Sequence, residues 1–124
     1  MAKKILVIDD SALMRRVISD IINEGNEYEV AAIAKDGLEG FDLIVSNPNL
    51  YSAIILDINM PKMNGLEFLK ELRADKDLHN ISVFIMTTSN DDKDRFEAYN
   101  YNVAGYIIKP ISFENFVAAV SILN

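Results

Sequence analysis

Asp9, Asp10, Asp57, Thr87, Thr88 and Lys109 follow directly on short apolar runs: Ile5-Leu6-Val7-Ile8, Ile54-Ile55-Leu56, Val83-Phe84-Ile85-Met86 and Tyr106-Ile107-Ile108. Each has an ordinary role when taken singly. An Asp after a strand caps the next helix, a Thr suits a strand end, and a Lys there extends into water. As a set they point elsewhere. In a parallel sheet the carboxyl ends of all strands share one rim, and open α/β sheets bind ligands along that rim. Three carboxylates, two hydroxyls and one ammonium gathered there are not what packing requires, because burying several charges together is costly.

The elements that must position these groups are legible from hydrophobic period. An unbroken run such as Ile54-Ile55-Leu56 indicates a strand covered on both faces, and stiff, branched Ile suits a pleated surface. After Ser11 the period lengthens. Leu13, Val17 and Ile21 form one stripe and Met14, Ile18 and Ile22 its neighbour, with Arg15, Arg16, Ser19 and Asp20 opposite: an amphipathic helix that Gly25 and Asn26 end. Residues 28–34 predict a second strand and Asp36-Gly37 a turn. Leu38, Phe41, Ile44 and Val45 space a second helix closed by Pro48. Leu66, Leu69 and Leu72 mark a third helix, and residues 75–80 form a polar connector in which His79 is solvated. Residues 81–87 predict a fourth strand. Ser89-Asn90-Asp91-Asp92 opens a fourth helix bearing Phe96 and Tyr99, which Asn102 stops in a left-handed cap. Tyr106-Ile107-Ile108 is the fifth strand, and Ser112 caps a last helix carrying Phe113, Phe116, Val117, Val120 and Leu123. Strands alternating with helices in this way predict an α/β fold, with one doubly wound parallel sheet covered on both faces. Residues 1–124 read as a single domain.

Composition narrows the function classes. Lys and Arg number 12 against 19 Asp and Glu, a net charge of −7. An acidic chain gains no counterion-release affinity for a nucleic acid and is repelled by anionic lipid. Direct nucleic-acid binding is therefore not expected, and with no apolar run near the roughly 20 residues that span a bilayer, neither is membrane insertion. Cys is absent, which excludes disulfides, thiolate metal sites and a Cys nucleophile. With no signal-peptide pattern at Met1-Ala2-Lys3-Lys4, the expected location is the cytoplasm.

Asp9-Asp10-Ser11, Leu56-Asp57 with Met60-Pro61 and Asn64-Gly65, Thr87, and Tyr106 with Lys109-Pro110 occur in an order and on strand ends that resemble a response-regulator receiver domain of the CheY type, over essentially the whole chain. The resemblance implies a flavodoxin/CheY-like sheet of strand order 2-1-3-4-5. It implies that Asp57 accepts a phosphoryl group from the phosphohistidine of a sensor histidine kinase or a phosphotransfer protein. Asp10, Asp57 and the backbone carbonyl of Asn59 would then ligate Mg²⁺, with Asp9 acting through a metal-bound water. Lys109 would meet the phosphoryl oxygens from a peptide bond that is typically cis before Pro110. Thr87 would bond the phosphoryl group and Tyr106 would turn inward. Together they remodel the face of the fourth helix, fifth strand and fifth helix, where a downstream protein binds; a homodimer is also compatible. Electrostatics agrees with the cation. Each like-charge pair at 4 Å costs about 4 kcal/mol at an effective dielectric of 20, and Mg²⁺ suits all-oxygen sites that combine carboxylates with phosphate.

Family members usually carry Ala, Gly or Ser after the switch residue, where this chain has Thr88; with Ser89 and Asn59 it is expected to tune access of attacking water to Asp57. The expected function is a switch whose output is binding, and which catalyses its own phosphorylation and dephosphorylation, with no external substrate. Its output is expected to go through a separate partner, with no effector domain of its own. A second reading is a receiver fragment of a larger protein, since Asp10-Ser11-Ala12-Leu13-Met14-Arg15-Arg16 is similar to the opening of chemotaxis methylesterases. The stretch from Thr87 to Asp92 looks more like stand-alone receivers paired with phytochrome-type kinases. An Asp-nucleophile phosphatase would need a second Asp at position 59, where Asn stands. A flavodoxin-type FMN carrier would need a hydroxyl-rich or Gly-rich loop where Asp9-Asp10-Ser11 stands. A P-loop enzyme is excluded for want of its motif.

Overall fold

The computed structural model describes residues 2–58, 65–78, 80–87 and 102–123. Its centre is a five-stranded sheet of order β2-β1-β3-β4-β5, built from β1 (Lys3–Ile8), β2 (Tyr28–Ala34), β3 (Ala53–Asp57), β4 (Ser82–Thr87) and β5 (Gly105–Ile108). Every neighbouring pair is parallel. Side chains alternate cleanly across it. Leu6, Ile8, Ile54, Leu56, Val83 and Ile85 enter one core, shared with α2 (Gly37–Ser46) and α3 (Gly65–Ala74). Ile5, Val7, Ala53, Ile55, Phe84 and Met86 enter the other, shared with α1 (Ala12–Asn23) and α4 (Phe113–Val120). Two covered faces explain why β1, β3 and β4 carry continuous apolar runs where a half-exposed strand would alternate. The predicted fold class and strand order are therefore correct. The predicted fourth helix, on Phe96 and Tyr99, lies outside the described residues, as does His79. Among the described residues no helix is long and apolar enough to cross a membrane.

Local chemistry starts the helices where the strands release them. The Ser11 hydroxyl accepts from Met14 N at 3.2 Å to open α1. Ser112 and Asn115 exchange side-chain and backbone bonds of 3.1 and 2.7 Å in a reciprocal cap at α4. Asp36-Gly37, expected as a turn, instead begins α2: Asp36 Oδ1 accepts from Glu39 N at 2.9 Å. An Asp-Gly pair is locally compatible with both, and burial of the following helix selects the cap. Two glycines hold layers close. A Cβ at Gly40 would overlap the Ile8 side chain, and one at Gly65 would lie 3.1 Å from Ile58 Cα. Asn102 adopts φ 56°, the left-handed conformation expected of it.

The stripes of α1 divide unequally. Ile18 and Ile22 are fully buried and Met14 is half-buried against them, as expected of a core face. Leu13 and Val17, read as a second core stripe, are 71% and 37% exposed. A helix on an outer layer presents only one flank to the sheet, and period alone cannot tell which of two adjacent stripes will face it. Leu38 and Val45 of α2 are exposed for the same reason.

Candidate functional site

The strand ends bring the predicted groups together. Asp9 follows β1, and its amide donates to Ala34 O at 3.1 Å, which holds it to the end of β2. Asp57 is the last residue of β3, beside β1 in the sheet. Thr87 ends β4, and its carbonyl accepts from Lys109 N at 2.8 Å, so Lys109 leaves β5 alongside it. Oxygens of Asp9, Asp10 and Asp57 all lie within 4.8 Å of one another. The Lys109 ammonium reaches into this group, 3.5 Å from Asp57 Oδ1 and 3.9 Å from Asp9 Oδ2. Both separations exceed the 2.7–2.9 Å of a tight charge-assisted bond. The ammonium is thus shared between two acids, committed to neither. The Lys109-Pro110 peptide is cis.

Burial grades the cluster. Asp9 and Thr87 are each 1% exposed and Asp57 is 5% exposed, whereas Asp10 is on the surface. Asp9 is the least satisfied member. Its Oδ1 accepts from Ser11 N at 2.9 Å, but its buried Oδ2 has no hydrogen-bond partner. Desolvation raises its pKa above the usual carboxylate range, and Asp10 adds to the rise. The Ser11 amide, Lys109 and Arg15 oppose it without cancelling it. A desolvated carboxylate oxygen without a hydrogen bond, in a group of three carboxylates, is what a hard divalent cation satisfies. The donor set is all oxygen, so the residues present fit Mg²⁺.

Tyr106 lies on β5 opposite Ile85 and packs, half-buried, against the core shared with α2 and α3. Asn59, Thr88 and Ser89 lie outside the described residues. One participant was missed by sequence reasoning. Arg15, assigned to the solvent face of α1, turns back so that Nη1 donates to Asp9 O at 2.9 Å. Its helical position, one turn past the cap, carried the signal, since a long side chain there reaches the loop before its own helix.

The family model for the response regulator receiver domain matches residues 5–121. The chain belongs to this family. A chemotaxis protein CheY homologue of Campylobacter jejuni is 36% identical over 109 residues, covering 88% of this chain and 82% of that protein. A protein-glutamate methylesterase/protein-glutamine glutaminase of Pyrococcus horikoshii is also 36% identical, over 110 residues, but the match covers 29% of that longer protein. Among solved structures, chemotaxis protein CheY4 of Vibrio cholerae superposes with a TM-score of 0.85 at 27% identity over all of both chains. This receiver domain is thus CheY-like and shares its similarity with the receiver portion of methylesterases. Both resemblances read from the sequence, the leading one and the alternative, are present among its relatives.

Proposed function

We propose that this receiver domain is a phosphoacceptor switch in which Asp57 takes a phosphoryl group from the phosphohistidine of a histidine kinase or phosphotransfer protein. The observation that carries the reading is the site itself: Asp57 within 3.5 Å of the Lys109 ammonium, in a group of carboxylates that leaves Asp9 Oδ2 without a hydrogen bond. Asp10 and Asp57 would hold Mg²⁺ directly, with the Asn59 carbonyl, and Asp9 would act through water. The ion supplies charge neutralisation for the incoming phosphoryl oxygens, as in other phosphoryl transfers.

The chain's own residues do the rest. An oxygen of Asp57 forms the O–P bond as the donor's N–P bond breaks, and the leaving imidazole keeps the electron pair. Lys109, already between two acids, turns its charge to the phosphoryl oxygens. Thr87 donates its hydroxyl to one of them, and Tyr106 responds on the neighbouring strand. The altered face of the fourth predicted helix, β5 and α4 then binds a downstream protein, so a local charge biases a bistable surface. No external substrate turns over, the whole chain acts as one receiver unit, and it works in the cytoplasm.

Incubation with Mg²⁺ and acetyl phosphate, followed by intact mass, should add one phosphoryl group; Asp57→Asn should add none. A mutant labelled like the parent removes Asp57 from the assignment. The methylesterase similarity supports a second reading, in which this receiver gates an effector domain in the same polypeptide. The mass of the protein isolated from its own cells separates the two.

A further inference from the structure

We infer that Arg15 is a positioning residue for the cation site, acting through the main chain of Asp9; this rests on the Mg²⁺ reading above. The peptide joining Asp9 to Asp10 is one rigid plane, so whatever holds the Asp9 carbonyl also sets the direction in which Asp10 leaves it. The Asp9 amide is fixed by Ala34 O and its Oδ1 by Ser11 N. Its carbonyl is held by Arg15 Nη1 at 2.9 Å. Arg15 is itself anchored: its amide donates to Ser11 O at 2.9 Å, and its carbonyl accepts from the Ser19 hydroxyl at 2.6 Å. Three of the four polar atoms of Asp9 are thereby engaged, and the fourth, Oδ2, has no hydrogen bond and lies 3.9 Å from the Lys109 ammonium. The turn carrying two adjacent acids is thus held through its main chain by the Arg15 side chain as well as by Ala34 and Ser11.

The sign of the effect separates this role from simple charge. A guanidinium near three carboxylates opposes cation binding electrostatically, so an Arg15 that acted only through its charge would tighten Mg²⁺ binding when neutralised. A positioning Arg15 weakens it when removed, as loss of a partner behind a metal ligand does, by about tenfold. Calorimetric titration of Mg²⁺ into the metal-free protein at constant ionic strength reads this directly. Arg15→Gln should raise the Kd about tenfold, while Arg16→Gln, the same charge change at an exposed neighbour, should leave it within about twofold or lower it. Arg15→Lys, which keeps the charge and one donor, serves if the Gln variant does not fold, and should raise the Kd by about twofold or more. A folded Arg15 variant with parental or tighter binding overturns the inference. A parent that binds no Mg²⁺ overturns the metal reading instead.

Discussion

Asp9 and Asp36 stand beyond the ends of adjacent parallel strands, β1 and β2, each buried and each leading into a helix. Their fates differ. Asp36 caps its own helix, with Oδ1 accepting from Glu39 N at 2.9 Å. After β1 that task passes to Ser11, two residues on, whose hydroxyl accepts from Met14 N. Asp9 is released from capping and keeps an oxygen with no hydrogen-bond partner, 3.9 Å from the Lys109 ammonium. One extra acid and a serine turn an ordinary strand-to-helix junction into a place for a ligand. The helix keeps its cap through Ser11, and Asp9 is left as a desolvated charge.

Substitutions can break this contrast. The largest effect is expected where the released oxygens act: Lys109→Met, which removes the ammonium shared by Asp9 and Asp57, should cut phosphoryl gain from acetyl phosphate by 10²-fold or more, as loss of a positioned charge does in other sites. Single-turnover labelling followed by intact mass checks it, and a near-parental rate would show that Lys109 only balances charge at rest.

Asp9→Asn should stabilise the metal-free protein by about 1–3 kcal/mol near neutral pH, because it neutralises a buried, unsatisfied carboxylate. The pH dependence has a definite sign. The pKa of Asp9 is raised in the folded state, so the native protein binds more protons than the unfolded chain over the interval between the two values. The favourable contribution is complete below the unfolded pKa and is lost as pH rises through the folded one. Urea melts in EDTA across that interval should show stability falling with pH in the parent and a flatter profile in Asp9→Asn. An identical pair of profiles would mean that Asp9 is solvated.

At the other junction, Asp36→Ala should lower stability by about 1 kcal/mol, the usual cost of losing a cap, and leave the Mg²⁺ Kd unchanged. A shifted Kd would mean that the two junctions are coupled. The smallest effect belongs to the exposed pair Lys4–Glu29, 2.9 Å apart but more than a third exposed on both sides. Lys4→Ala should change the urea midpoint by less than about 1 kcal/mol equivalent.

How far the sequence could be read differs between these places. The acids at strand ends were visible because an apolar run halted by a charge is a local pattern, and so was the Ser112 cap of the last helix. Asp36 was misjudged because Asp-Gly opens turns and helices alike, and only a buried helix beyond it decides. Leu13 and Val17 show the same limit on a larger scale. Their period marks a helix, but which flank meets the sheet depends on where α4 and the sheet lie.

By itself, the sequence determined five strands, their parallel alternation with helices and the chemical identity of each strand end, since period, capping and charge act over a few residues. Only the tertiary structure decided that Asp57 sits beside Asp9, that Lys109 divides itself between them, and that Arg15 turns back to hold the loop. Those facts depend on which strands become neighbours and which oxygens are left without a donor, and both are set by contacts between segments far apart in the chain.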